Sequence, residues 1–175
     1  MLVFFIGLVV ALHVRHEPKT FVLPMLTYDQ AHNPYFTSEL VINERPVRMI
    51  VDTGSHELLF QAEGKDRVPK LLANTSQVVY ESGTIFGAVK SDNVCLAKSC
   101  FNQSVFEALQ SQALVKWADG VLGLQGGPAT FLETMKTSGL ISENSFTLKF
   151  SKSGKSGSLV LGDTAGQNST ACKMT

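Results

Sequence analysis

One carboxylate stands directly after an apolar run and directly before a tight turn. Asp52 follows Met49–Val51 and precedes Thr53-Gly54-Ser55. Because the run is apolar at successive positions, both faces of the predicted strand are buried and Asp52 is expected at a buried strand end. A carboxylate there has to be paired, hydrogen-bonded or protonated, unlike the solvated aspartate of an ordinary turn. Asp52 is therefore a candidate for acid–base chemistry.

Several further segments, in order along the chain, resemble the N-terminal lobe of the pepsin-like aspartic proteases. Together they extend from about Tyr35 to Asp163. The resembling segments are Asn33–Phe36 at the first hairpin, Val51–Ser55 at the catalytic loop, Tyr80–Gly87 at the flap hairpin, Asp92–Val94 after the flap, Ala118–Leu124 at the loop that brackets the catalytic turn, and Gly139–Ile141, Phe146–Leu148 and Gly157–Gly162 at the end of the lobe.

The resemblance implies roles for the residues around Asp52. In this family two aspartates, one from each lobe, share a proton and a water, so that one carboxyl is ionised and the other protonated. Asp52 would be one of them. Thr53 would hydrogen-bond to the partner loop, Gly54 would let the backbone turn sharply and approach closely, and Ser55 would hold the carboxylate by a hydrogen bond.

The resemblance also implies a flap and a fold. Tyr80 would cover the substrate and help to exclude water, with Ser82, Gly83 and Thr84 completing the substrate-binding hairpin. The implied fold is all-β, a double-psi β-barrel-like lobe of mostly antiparallel hairpins with one or two short helices. The implied activity is aspartic endopeptidase chemistry on polypeptides, without a cofactor or metal.

The main departure from the family pattern is that no second Asp-Thr-Gly or Asp-Ser-Gly follows. One carboxylate cannot be both acid and base, so the chain as a monomer is not expected to cleave peptides. Three alternatives stay open: one lobe of a two-lobed enzyme whose C-terminal lobe is missing, a homodimer with Asp52 from each copy, or a non-catalytic secreted protein that binds peptides or proteins.

Smaller departures surround the same segments. Leu59 stands where the family has a Trp that braces the flap tyrosine, and Glu81 replaces the usual glycine after Tyr80. His56 and Glu57 occupy positions where the family prefers small or amide side chains. For these two residues we expect surface positions without a specific role.

The amino-acid composition excludes several classes of protein. The 175 residues are 44% hydrophobic and 17% charged, which predicts a folded domain with a sizeable core. Fifteen basic residues balance fifteen acidic ones, so no basic excess indicates a nucleic-acid partner. No apolar run reaches the roughly 20 residues of a membrane helix.

Strand patterns dominate the chain and would position these residues. Hairpins are expected from Tyr35–Ile42 with Val47–Val51, from Gln77–Tyr80 with Thr84–Leu96, and from Ser145–Ser151 with Ser158–Leu161, with further strands at Phe21–Thr27 and Leu58–Phe60. Turns are expected at Asn43–Pro46 and at Glu81–Gly83, and a loop at Ala62–Lys70. One helix is predicted from about Ala129 to Ser138, with Gly139 as its C-terminal stop. Lys152–Gly157 is interpreted as a hairpin turn because it lacks the spacing of a phosphate-binding loop.

The N-terminus has the sequence pattern of a secretory signal peptide. Residues 1–16 are predicted to be a signal peptide because Leu2–Leu12 is an apolar core too short to span a membrane, although a buried first strand is the alternative. Residues 17–175 would form the single lobe. We therefore expect a secreted protein, or one in a lysosome-like compartment, with glycosylation possible in principle at the triplets beginning at Asn74, Asn102 and Asn168.

The three cysteines have the wrong spacing for zinc and are too few for a disulfide-rich miniprotein. Secretion would permit a disulfide between Cys95 and Cys100, which flank a predicted hairpin tip at Ala97–Ser99. Cys172 would then be left without a partner in this chain.

Overall fold

The computed structural model describes residues 19–30, 33–61, 76–80, 83–111 and 118–162. These residues form ten strands and one helix. The strands are β1 (Phe21–Gln30), β2 (Asn33–Ile42), β3 (Arg45–Asp52), β4 (Leu58–Gln61), β5 (Ser76–Tyr80), β6 (Gly83–Leu96), β7 (Ser99–Ser111), β8 (Gly120–Gly123), β9 (Phe146–Phe150) and β10 (Ser156–Leu161), and the helix is α1 (Phe131–Thr137). The predicted all-β class is confirmed.

The ten strands form one sheet in the order β5-β6-β7-β4-β8-β3-β2-β1-β10-β9. Most neighbours are antiparallel, but β3 pairs with β8 and β4 pairs with β7 in parallel. Strand β6 also pairs with β2, which turns the middle of the sheet back on itself as a barrel-like ring. This last contact holds only Val41 against Cys95 and Ile42 against Val94, so the ring is unevenly closed.

The β2–β3 turn is shorter than the sequence pattern indicated. Asn43 and Glu44 both have positive φ, 49° and 66°, which is the backbone of a two-residue turn that matches the twist of a hairpin. Arg45 and Pro46 consequently belong to β3, opposite Ile42 and Val41. The four-residue turn predicted at Asn43–Pro46 is therefore wrong by two residues.

Two strands were not predicted. Strand β7 carries polar residues along its length and was not recognised, yet it pairs with β6 over most of its residues. Strand β8 is only Gly-Val-Leu-Gly, which is too short to give a period-two signal. It is nevertheless fully buried between β3 and β4.

The core lies inside the ring and beneath α1. Its largest fully buried side chains come from many elements: Met25, Leu40, Ile42, Met49, Leu58, Leu96, Leu122, Leu124, Phe131 and Met135. A second, smaller cluster lies under the β5–β6 hairpin and consists of Leu59, Ile85, Phe106, Ala108 and Val121. At roughly 2 kcal/mol for each fully buried large apolar side chain, these two clusters are the main source of stability.

Helix α1 is shorter than predicted. It starts after Thr130, because Ala129 has a φ of 60° and cannot be helical. Gly139, with a φ of 67°, ends it as expected. Phe131, Leu132 and Met135 form its buried stripe. Between β9 and β10, the backbone N–H of Gly154 bonds to Ser151 O at 3.0 Å in the predicted hairpin turn.

Candidate active site

The Asp52 carboxylate is held by the turn that follows it. Asp52 is the last residue of β3. Its Oδ1 accepts a hydrogen bond from the backbone N–H of Gly54 at 2.9 Å, and its Oδ2 accepts one from Ser55 Oγ at 2.8 Å. Ser55 is 5% exposed, so its hydroxyl is fixed in place. Both donors fix the orientation of the half-buried carboxylate and leave its remaining lone pairs available.

The loop after Asp52 is locked onto β8 and the segment beyond it. Leu124 N donates to Asp52 O at 2.8 Å and Gln125 N donates to Ser55 O at 3.0 Å. Gly123 lies opposite Asp52 in the parallel pairing, and its N–H bonds to Glu57 O at 3.0 Å. A Cβ at Gly123 would come within 2.6 Å of both Ser55 O and Glu57 O, so only glycine fits against this loop.

Gly54 has a different role from the one expected. Its φ lies outside the left-handed range, and a Cβ there would meet Asp52 Oδ1 at 3.4 Å, an ordinary contact. The close backbone approach expected at Gly54 is therefore found at Gly123 instead. Gly54 contributes its N–H to the carboxylate. Thr53 is exposed on the same turn.

Tyr80, the last residue of β5, lies close to the loop that follows Asp52. It packs against the small cluster that contains Leu59. Burial, followed by the charges of Glu57 and then Asp52, raises the Tyr80 pKa to about 12, while the nearby Ser55 hydroxyl acts in the opposite direction. The contact with Ser55 is not a well-formed hydrogen bond, because the buried Tyr80 Oη has no hydrogen-bond partner in the part of the chain that the structure describes.

Two other residues predicted for the flap lie next to Tyr80. Gly83 pairs directly with Tyr80 across the β5–β6 hairpin and has a φ of 140°, a backbone conformation that favours glycine. Thr84 pairs with Val79 and is partly buried. Ser82 and Glu81 lie outside the described residues.

Glu57 is more than the surface residue that we expected. It is only partly exposed, and its charge is the second contribution to the raised Tyr80 pKa. The one signal in the sequence was a charge where the family prefers a small or amide side chain, and this could not show which way the Glu57 side chain lies. His56 is exposed, as expected.

Asp119 fastens β8 to β3. Its Oδ2 accepts a hydrogen bond from the backbone N–H of Arg48 at 2.8 Å, and its own N–H bonds to Arg48 O at 2.8 Å. Its Oδ1 lies 3.8 Å from Arg45. Arg48 is four residues before Asp52, about 13 Å along the strand. Asp119 therefore supports the site without belonging to it.

Cys95 and Cys100 form a disulfide with an S–S distance of 2.04 Å and a Cα–Cα distance of 4.0 Å. They face each other across the β6–β7 hairpin, whose turn is Ala97-Lys98. Asn102, the acceptor of one predicted glycosylation triplet, is exposed on β7. The remaining predictions for Asn74, Asn168 and Cys172, the signal peptide over residues 1–16 and the loop over Ala62–Lys70 lie outside the described residues.

Within the described part of the chain, no group of three or more His, Cys, Asp or Glu side chains is arranged to hold a metal ion. No helix among the same residues is long and apolar enough to cross a membrane.

The structure is similar to the crystal structure of an aspartic proteinase from Irpex lacteus, with a TM-score of 0.66 and 20% sequence identity. The match covers 87% of this chain and 51% of that one, so this chain spans about half the length of the proteinase. At this identity the likeness establishes the fold, which is the pepsin-like lobe that the sequence motifs predicted. A search of curated proteins gave no match.

The eukaryotic aspartyl protease family matches residues 60–171. This is more than half of the chain, and the chain belongs to that family. The matched segment begins after Asp52 and includes the β5–β6 hairpin, β7, β8 and α1. Family membership therefore rests on residues that follow Asp52, and a role for Asp52 is supported by the hydrogen bonds that hold its carboxylate.

Proposed function

We propose that this chain is one lobe of an aspartic endopeptidase and that Asp52 is its catalytic aspartate. The observation that carries the proposal is the carboxylate of Asp52, held at a strand end by Gly54 N–H and Ser55 Oγ with the phenol of Tyr80 nearby. Two donors hold both carboxylate oxygens in one orientation, and a general base has to be held within hydrogen-bond reach of the proton that it takes. The polypeptide class of substrate follows from the family.

The reaction needs a second carboxylate. An ionised aspartate takes a proton from a water, whose oxygen attacks the scissile carbonyl carbon. A protonated aspartate meanwhile gives its proton to the carbonyl oxygen. The first aspartic acid then gives the proton that it took from water to the nitrogen, and the second carboxylate takes a proton from a hydroxyl of the tetrahedral species. The C–N bond breaks, and the nitrogen leaves as an amine. Asp52 supplies one of the two carboxyl groups, and we propose that a partner lobe supplies the other.

A surface on β1 and β2 favours such a partner. In β1, Val22, Leu26 and Tyr28 are separated by even numbers of residues and therefore lie on one side of the sheet. Tyr35 of β2 pairs with Tyr28 and lies on the same side. We call the surface formed by these four residues the outer face; the exposed fractions of Val22, Leu26, Tyr28 and Tyr35 are 64%, 64%, 40% and 37%. Exposed apolar clusters of this kind are typical of interfaces.

The outer face also reaches the edge of the site. Thr37 pairs with Ile50, so the Tyr35 end of β2 and the Asp52 end of β3 lie on the same side of the lobe. A partner on the outer face could therefore bring its own carboxyl group next to Asp52. Two partners fit this position: the C-terminal lobe of a two-lobed enzyme, or a second copy of this chain.

The proposed location is the secretory route or a lysosome-like compartment. The disulfide between Cys95 and Cys100 supports it, because disulfides persist in oxidising compartments. The exposed Asn102 is accessible to glycosylation. Changing Asn102 to Gln should remove one glycan from the protein made in a secretory host, which a shift in electrophoretic mobility would show.

A second function, non-catalytic binding of peptides, is favoured by one observation. Leu59 is fully buried in the place of the bracing Trp, and the Tyr80 hydroxyl has no hydrogen-bond partner among the described residues. Without this brace, the Tyr80 side chain is held by apolar packing against the cluster that contains Leu59. The two functions differ in one outcome, since only the first predicts cleavage of a bound polypeptide.

The test of the proposal is cleavage of an unfolded polypeptide in acid by the protein purified from its source, so that any partner lobe that supplies the second carboxyl group is present. A peptide with a statine group, which mimics the tetrahedral species, should block cleavage. Cleavage that persists with this inhibitor and stops with a serine- or metal-directed one would contradict the proposed chemistry. Binding of the statine peptide without any cleavage would support the second function.

A further inference from the structure

The hairpin of β9 and β10 carries three lysines and, from Phe146 to Leu161, no acidic residue. Lys149 lies on β9, and Lys152 and Lys155 lie in the turn that joins the two strands. All three lysines are exposed. The ion pairs among the described residues are formed by other basic side chains. This end of the sheet therefore carries a local excess of positive charge in a chain whose formal net charge is zero.

The turn between β9 and β10 is ordered and has a polar tip. The N–H of Ser151 donates to Ser156 O at 2.9 Å, and the N–H of Gly154 donates to Ser151 O at 3.0 Å. The hydroxyls of Ser151 and Ser153 share a hydrogen bond of 3.1 Å. The tip itself is Lys-Ser-Gly-Lys, residues 152–155. It therefore presents charges from a fixed backbone, and it has no apolar side chain that could enter a lipid layer.

Phe150 adds an exposed aromatic ring beside the lysines. It is the last residue of β9 and is 53% exposed. Its ring lies against the ring of Phe36, with the centroids 4.6 Å apart and an interplanar angle of 47°. This contact fixes the orientation of the Phe150 ring. The face of an aromatic ring carries negative partial charge, so the exposed part can pack on the C–H groups of a sugar ring.

The hairpin is separate from the candidate active site. In the sheet order, β2 and β1 lie between β10 and β3, the strand that ends in Asp52. Among the described residues, β9 is the last strand at this edge of the sheet. Lys149 and Phe150 are neighbours in β9 and therefore lie on opposite sides of the strand. A linear polymer that follows this edge can contact both of them.

We propose that the β9–β10 hairpin binds a sulfated polysaccharide. Negative charges repeat along such a polymer, and Lys149, Lys152 and Lys155 place three positive charges within seven residues. Each ammonium group is a compact charge with three donors, which suits the oxygens of a sulfate. The ring of Phe150 packs on a sugar ring of the same polymer.

Two other polyanionic partners fit less well. A lipid surface would require an apolar tip, whereas the tip of this turn is polar and Phe150 is set back from it. A nucleic acid would be expected with a basic excess over the whole domain, and this chain has none. The inference goes beyond the proposed function, because binding at this hairpin requires no catalysis.

The experiment is calorimetric titration of the full chain with a heparin oligosaccharide. The matched ligand is the same oligosaccharide after removal of its sulfates and acetylation of the freed amines. The sulfated form should bind at least about tenfold more tightly, because several exposed ion pairs are lost together when the sulfates are removed. Binding should also weaken as salt is added, since these charges are exposed to solvent.

Variants locate the site. Lys152→Gln and Lys98→Gln are a matched pair, because both lysines are exposed in hairpin turns. Lys152→Gln should weaken heparin binding about threefold, as expected for one exposed ion pair, whereas Lys98→Gln should leave it unchanged. Changing Lys149, Lys152 and Lys155 together to Gln should weaken it more than about tenfold. Phe150→Leu, which keeps an apolar side chain without a flat ring, should weaken it about twofold.

The thermal midpoint of each variant is recorded first; the lysines are exposed, so the triple variant should unfold at nearly the wild-type temperature. Equal binding of the two oligosaccharides, no saturable binding, or wild-type affinity of the triple variant would overturn the proposal. Binding to vesicles of phosphatidylcholine with about 20% phosphatidylserine, without binding to heparin, would also overturn it and would assign the hairpin to a lipid surface.

Discussion

At the scale of single residues, the position of the Asp52 carboxylate depends on glycines that do different things. Gly54 supplies an N–H to Oδ1, and Gly123 leaves room for the carbonyls of Ser55 and Glu57. Packing against Gly123 of β8 therefore sets the shape of the loop, and the N–H of Gly54 in the loop orients the carboxylate.

Alanine substitutions should separate these two glycines. Gly123→Ala places a methyl group against two backbone oxygens, which cannot move without breaking the loop, and should cost at least ~3 kcal/mol of unfolding free energy. Gly54→Ala meets only an ordinary contact and should cost less than about 1 kcal/mol. Urea unfolding of both variants measures the costs. Equal costs would contradict the assignment.

The Tyr80 phenol should titrate unusually late. Its pKa is raised to about 12, chiefly by burial and then by Glu57. The folded protein therefore keeps a proton that the unfolded chain loses near pH 10, and the unfolding free energy should fall between pH 10 and pH 12. Ultraviolet absorbance of the phenolate follows the titration, and Tyr80→Phe assigns it.

Glu57→Gln provides the control for this titration. Removing the charge should lower the Tyr80 pKa, although burial would still keep it above the usual value. Glu39→Gln should leave the titration unchanged. A wild-type Tyr80 that titrates with the other tyrosines would show that the phenol is not buried over the loop.

Some residues of the site could be predicted from the sequence, and others could not. The identity and order of Asp52, Ser55 and Tyr80 could be predicted because their motifs are local and keep their spacing. The position of Glu57 could not, because the groups around it come from other elements, among them Tyr80 at the end of β5. Long-range contacts of this kind leave no local pattern in a single sequence.

At the scale of elements, hairpins with a chemical turn signal were easier to predict than strands held by tertiary contacts. Asn43-Glu44 marks the β2–β3 turn, and the alternation of Phe146, Leu148 and Phe150 marks β9. Strand β8 has no such signal, because its four residues are buried on both faces by β3 and β4. It is nevertheless the element that shapes the catalytic loop.

The disulfide should stabilise the β6–β7 hairpin. Cys95 and Cys100 close a short loop, for which the lost entropy of the unfolded chain corresponds to about 2 kcal/mol. The Cys95→Ser, Cys100→Ser double variant should therefore unfold at lower urea concentration by that amount, with little change in the site. An unchanged unfolding free energy would show that strand pairing alone closes the hairpin.

At the scale of the whole molecule, the lobe exposes apolar side chains near Asp52, which is one of the two carboxyl groups that the proposed reaction needs. The Tyr35 end of the outer face and Asp52 lie at the same end of the β2–β3 pair, so assembly and catalysis are expected to depend on each other. This dependence distinguishes the proposed enzyme from a lobe that functions alone.

A charge on the outer face should abolish cleavage while leaving the lobe folded. Leu26→Asp places a carboxylate at a position that is 64% exposed here but buried once a partner covers it. Cleavage should fall by more than tenfold without a large change in unfolding free energy. Asn93→Asp, at an exposed position on β6 outside the outer face, is the control for the added charge. Full activity of Leu26→Asp would exclude this face as the partner surface.

The most direct test of the account is the Asp52→Asn variant in the cleavage assay. The amide has nearly the same size and keeps one acceptor oxygen, but it cannot serve as the base, so cleavage should be lost by at least a thousandfold. Asp119→Asn, the same chemical change at a carboxylate that holds Arg48, should retain most of the activity. Cleavage by Asp52→Asn at the wild-type rate would contradict the assignment of Asp52 as the catalytic residue.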